Sequence, residues 1–205
     1  MKTAVIELHY LPCLDYFKVL MNYDKVLLEA HETFQKQTYR NRCYTLQTNK
    51  TMLLSVPVQG GAQRLPIAEV ALDKSSAWAT FHWRSIRSTY GKTPFFEFYA
   101  DAFQAVFTDP PPTLFALNHK LLTICLDFLQ LSTRIELTSS FKKTYAEADD
   151  LREWVHPKKA DRFSYPDYWQ PFGNTFVPNL AILDLLFCTG SEARKILLEA
   201  KPNKY

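Results

Sequence analysis

A short apolar run, Ala4 to Leu8, leads through Pro12 to Leu14, Phe17 and Met21 at helical spacing, and then to a second apolar run, Lys25 to Ala30. Strand, helix and strand within so short a stretch predict a parallel β-α-β unit. This constrains the fold more than any other feature. Parallel neighbours need a crossover, and the crossover helix must cover a face of the sheet. Pro12 suits the first turn of that helix, where a missing N–H costs nothing. Asn22-Tyr23-Asp24 ends it.

Beyond it, His31 to Arg42 is polar and contains neither Gly nor Pro. Cys43 to Thr48 and Thr51 to Val58 read as a hairpin around Asn49-Lys50, with a loop at Gln59-Gly60-Gly61 and one more strand at Ile67 to Leu72. The second half reads as helices: Ser75 to Tyr90 stopped by Gly91, a helix opened by Thr93-Pro94 with Thr93 as cap, and Leu114 to Leu131. A strand at Arg134 to Thr138, a short helix at Asp149 to His156 and an irregular stretch from Pro157 to Gly173 follow. Pro178 to Cys188 reads as a helix closed by Gly190, and a last helix follows Ser191. The expected fold is α/β, with a Rossmann-like parallel β-α-β start and a hairpin, followed by a mainly helical second half. Residues 1–205 read as a single domain.

A net charge of +3 is too small to argue for nucleic acid without a reading motif, and none is found. No segment reaches the roughly 18 apolar residues of a membrane span, and the N-terminus lacks the apolar core of a signal peptide. The cysteines Cys13, Cys43, Cys125 and Cys188 are far apart, which fits reduced core residues in the cytoplasm. His9, His31, His82, His119 and His156 have no ligand spacing, so no metal is expected. Glycine-rich phosphate loops and the G-x-S-x-G nucleophile turn are absent, and no cofactor is called for.

In open α/β sheets ligands lie beyond the carboxyl ends of the parallel strands. His9-Tyr10-Leu11-Pro12 and the segment Glu29 to Arg42 should meet there. His9, Glu29 and Asp184 are the candidate acid–base residues. Tyr10, Lys36, Tyr39, Arg40, Asn41 and Arg42 are the candidates for binding an anionic or sugar-nucleotide substrate, helped by the helix N-terminus at Pro12. Each has a plainer reading. Lys36, Arg40 and Arg42 can be solvated surface cations, His9 a hydrogen-bonded strand end, and Glu29 the partner of Arg40 or Arg42. Asp184 faces Leu180, Ala181, Phe187 and Cys188 at helical spacing and should be buried, so it can be a structural tie to an arginine or to the backbone of 157–173. Asn118 reads as a structural amide, and Trp78, Phe81, His82, Trp83 and Ile86, with Arg84 and Arg87 beside them, as a core stripe with a solvated flank rather than a face that stacks bases or sugars.

The residues also carry a resemblance. His9-Tyr10-Leu11-Pro12 with Asp15-Tyr16-Phe17, Lys36 to Cys43 (KQTYRNRC) and Leu54-Ser55-Val56-Pro57-Val58 resemble the WbqC-like family. His82-Trp83, Tyr90-Gly91, Pro94 to Tyr99 (PFFEFY), His156-Pro157-Lys158-Lys159 and Asn179 to Phe187 (NLAILDLLF) extend the match along nearly the whole chain. The commoner family pattern has tryptophan and glycine where Cys13 to Asp15 stand. The resemblance implies a place in surface-polysaccharide assembly, as a transferase of an activated sugar or amino-acid group in O-antigen production, with glycine transfer one suggested role. It brings no established catalytic set. The alternative from another class is a non-catalytic ligand-binding or scaffold protein of a glycan pathway. Substrate and oligomeric state are not set by the sequence.

Overall fold

A computed structural model of the chain describes residues 1–48, 50–60 and 62–203. Strand β1 (Thr3–Glu7), helix α1 (Leu14–Leu20) and strand β2 (Lys25–Glu29) form the expected opening, with β1 and β2 parallel from Thr3↔Lys25 to Glu7↔Glu29. Antiparallel β3 (Arg42–Gln47) and β4 (Lys50–Ser55) make the hairpin. Lys50, expected in its turn, already pairs with Gln47. Asn49 and Gly61, expected in turn and loop, lie outside the described residues. Helices α2 (Trp78–Tyr90), α3 (Phe96–Thr108) and α4 (Leu114–Phe128) then pack in succession. Strands β5 (Arg134–Leu137), β6 (Asp149–Asp150) and β7 (Phe163–Ser164), helices α5 (Ile182–Thr189) and α6 (Ala193–Glu199), and strand β8 (Lys201–Pro202) complete the chain.

The main sheet has the order β5-β2-β1-β6, and every pairing in it is parallel. Counted along the chain, this is the 3-2-1-4 order of a doubly wound half-sheet, with its switch point between β1 and β6. The fold is α/β with its helices concentrated in the second half, as expected. Phe187 of α5 anchors that half, its ring packing tilted against Tyr90 and Phe96 and edge-on against Phe103 at centroid distances of 5.6, 5.0 and 5.8 Å. Among the described residues no helix is long and apolar enough to cross a membrane. The four cysteines are free and buried, and burial pushes their thiols up.

Five local expectations are corrected. Residues 149–156 are not a helix. Asp149 and Asp150 pair with Ala4 and Val5 on the open edge of β1, and Asp150 accepts the Arg152 N–H at 3.2 Å, a local bond that competes with a helix. Residues 67–72 are not a strand. A 3₁₀ turn at Ile67–Glu69 puts buried Ile67 and Val70 on one face, and only single bridges follow. Thr93 does not cap α3, because its hydroxyl donates back to the Tyr90 carbonyl at 2.7 Å and the helix begins at Phe96. Residues 178–181 stay outside α5, because Asn179 takes a left-handed φ of 52°. Helix α1 begins at Leu14 rather than Pro12.

The α2 stripe is buried at Trp78, His82 and Ile86, whereas Trp83 is half-buried and Phe81 is exposed; the buried part carries a titratable group. His82 is buried, and its Nδ1 accepts the Tyr10 hydroxyl at 2.8 Å. Burial pulls its pKa down to about 4, against a hydrogen bond to the Ser55 backbone. The unfolded chain takes up this proton near pH 6.5 and the fold refuses it until about pH 4. The stabilising contribution is therefore complete above pH 6.5 and is lost as pH falls through that window, approaching about 3 kcal/mol. Denaturation across the same window should show a shallower acid loss in His82→Gln than in the wild type. Equal slopes would contradict the assignment.

Candidate functional site

Alternation along β1 puts Val5 and Glu7 on one face, and the chain then turns through His9. Glu7 and His9 are both 1% exposed, and Glu7 Oε1 lies 3.1 Å from His9 Nε2. The other Glu7 oxygen accepts the Glu153 N–H at 2.9 Å, just past the end of β6. Burial pushes the Glu7 carboxyl up. The His9 hydrogen bond, the Arg40 charge and the Glu153 N–H outweigh it and hold Glu7 below its ordinary value. Burial pulls His9 down, against Glu7 and with Arg40, so the ring is neutral. An ionised carboxylate at Nε2 fixes the Nε2–H tautomer. That leaves Nδ1 a bare, buried lone pair with no hydrogen-bond partner among the described residues. The rings of Tyr16 and Tyr39 hold the imidazole between them, at 4.6 and 5.3 Å.

Arg40 reaches the same carboxylate from the segment after β2. It is fully buried, with its Nε and one terminal nitrogen forked onto Glu32 at 2.7 and 2.6 Å. Its other terminal nitrogen, Nη1, lies 4.0 Å from Glu7 Oε1 and has no hydrogen-bond partner among the described residues. Burial pushes Glu32 up against the pull of Arg40. Arg40, Glu32, Thr33, Gln35, Phe141, Asp150, Arg152 and Glu153 line an open concavity of about 600 Å³ at the carboxyl ends of β2 and β6, on either side of β1, and His9 at the end of β1 does not line it. That volume is in the range of small-molecule sites.

The expected segments do meet here, since the Tyr10 N–H donates to the Tyr39 carbonyl at 2.8 Å. They bring His9, Tyr39 and Arg40 together. The other candidates lie apart. Lys36 is exposed. Arg42 is in β3, and Asn41 holds the Val56 carbonyl at 2.9 Å. The Tyr10 hydroxyl is used by His82. Glu29 is not a free base: Thr138, the His31 N–H, Tyr145 and Arg152 all donate to it, at 2.9 to 3.3 Å. It therefore pairs with Arg152 rather than with Arg40 or Arg42. Asp184 is fully buried, as its helical phase implies, and one of its oxygens accepts from Tyr168 at 2.6 Å and Gln170 at 2.8 Å. These donors are side chains of the irregular segment, so Asp184 ties that segment to α5. The expected anion site at the start of α1 is closed by the chain itself. The Leu14 N–H donates to the Leu180 carbonyl at 3.2 Å, and the Asp15 N–H to Asn179 Oδ1 at 2.9 Å.

With this geometry in place, the chain can be compared with known proteins. It matches the WbqC-like protein family over residues 8–164, a span that holds His9, Glu32, Arg40 and Glu153. The chain belongs to the WbqC-like protein family. It is 28% identical over 222 residues to the uncharacterized protein Rv1507c of Mycobacterium tuberculosis, with 94% of this chain and 95% of that relative covered. No solved structure matches.

Sequence reasoning missed four members of this WbqC-like site: Glu7, Glu32, Arg152 and Glu153. Glu7 had a readable signal, because a carboxylate inside a buried strand is rarely left without a partner. Arg152 and Glu153 had none, since they reach the site only once β6 has paired with β1.

Proposed function

We propose that this WbqC-like chain is a transferase-type enzyme that moves an activated sugar or amino-acid group in surface-polysaccharide assembly of the O-antigen kind, with glycine among the candidate groups. The observation that supports a catalytic reading is the neutral His9, held by ionised Glu7 with Nδ1 bare, at the carboxyl end of β1. A carboxylate that fixes a histidine tautomer is the orienting half of an acid–base pair. In the transfer, which requires the acceptor to displace the packing that buries the ring, His9 Nδ1 accepts the proton of the acceptor's hydroxyl or amine as its new bond to the donor carbon forms. The leaving group departs with the electron pair of the broken bond. Arg40 Nη1 supplies hydrogen bonds to an oxygen on which charge develops. The glycan context rests on the family resemblance.

The test is thermal denaturation with nucleotide sugars and amino acids, followed by mass spectrometry of mixtures that stabilise the protein. A ligand at a hundred times its Kd raises stability by about 2.7 kcal/mol. The wild type should gain stability with a donor and form a product. His9→Gln should keep the gain and lose the product. A gain with no product in the wild type would mark a binding protein instead, and no gain with any compound would overturn the reading.

A further inference from the structure

The charges around the concavity do not balance. Glu32, Asp150 and Glu153 stand on its wall, with Glu7 and Glu29 beside its two guanidinium groups. Against these five carboxylates stand Arg40 and Arg152, with Lys159 off the wall, where its ammonium donates to the Glu153 carbonyl at 2.6 Å. Arg152 is consumed by Asp150, Glu29 and the carbonyls of Lys142 and Lys143. The nearby His156 adds no compensating charge, because burial lowers its pKa.

Two groups lack a hydrogen-bond partner among the described residues, although the charges of Arg40 and Glu153 already attract one another. Arg40 is fully buried, and its Nη1 donors have no partner among those residues. The Glu153 carboxylate accepts no hydrogen bond among the described residues, although the residue lines the concavity. The backbone of Glu153 is left-handed at φ 60°, a conformation that long side chains rarely adopt. The same turn sets its N–H on Glu7. One open donor and one open carboxylate ask for a ligand with an oxygen acceptor and a cation. The diphosphate of an activated-sugar donor would lie outside this wall, which is already rich in negative charge, with the amine-bearing group inside it.

Resting on the reading of this concavity as the substrate site, we infer that it selects a small molecule bearing a protonated amine beside an oxygen acceptor. The oxygen takes the Arg40 donors and the ammonium faces Glu153. An amino sugar and an amino acid share this chemistry.

The experiment titrates the full chain at neutral pH with D-glucosamine, D-glucose, glucose 1-phosphate and L-alanine, following the backbone amides of Arg40 and Glu153 by NMR. At least one amine probe should bind there, and tighter than glucose by roughly tenfold or more, the worth of one charge-assisted contact. Glucosamine against alanine separates the two sources of the amine. Glu153→Gln should abolish the advantage of the amine and leave the melting temperature unchanged. Tighter binding of glucose 1-phosphate in the concavity, or an amine preference that survives Glu153→Gln, overturns the amine assignment and leaves the site standing. If no probe moves these amides, both the assignment and the site fall.

Discussion

Arg40→Ala should lower folding stability by about 3–5 kcal/mol, the cost of removing one partner from a buried ion pair. The substitution strands Glu32 and removes the cation nearest the buried Glu7. Lys36→Ala, a few residues earlier on the exposed side, should stay within about 0.5 kcal/mol of the wild type. Urea denaturation of both variants checks the pair. Glu32→Ala should be costly alone, and the double variant should lose less than the sum, because neither charge is then left without its partner. Additive losses would show that Arg40 and Glu32 do not act as a unit. The same ion pair explains how Arg40 can serve a ligand: the fork on Glu32 fixes the guanidinium plane and leaves only Nη1 to offer.

The second large effect concerns rate. Glu7→Gln should reduce turnover by roughly 10²–10⁴-fold, the range of general acid–base catalysis. The amide keeps the shape of the carboxylate but not its charge, so it no longer enforces the Nε2–H tautomer of His9. His9→Gln should fall in the same range, and the double variant should be little worse than either, since the two residues act through one proton. Binding of the substrate should change far less than kcat. Equal loss in binding and kcat would mean that Glu7 only shapes the concavity.

The opening of the fold was readable because two apolar runs and an amphipathic stretch carry their own period. The hairpin was readable for the same reason. Strand β6 was not, because Asp149-Asp150 has no apolar signature and becomes a strand only on the free edge of β1. Of the site, His9 and Arg40 could be placed from the topology alone: they leave adjacent parallel strands at the same end. Lys36 and Arg42 have the same charge as Arg40 and lie in the same segment, yet one faces solvent and the other enters β3. Composition cannot separate them, because what distinguishes Arg40 is a contact to Glu32 across a loop. Asp184 shows the complementary case. Its burial follows from helical phase, whereas its donors, Tyr168 and Gln170, come from a segment without any period.

The account turns on the protonation of one ring. Nitrogen-15 NMR of the histidines, assigned with a His9→Gln variant, reports each ring nitrogen separately. At neutral pH, His9 should show a protonated Nε2 and a bare Nδ1, should remain so as pH falls through the ordinary histidine range near 6.5, and should respond at Nδ1 when a substrate-site ligand is added. A proton on Nδ1, or an imidazolium at neutral pH, would contradict the account.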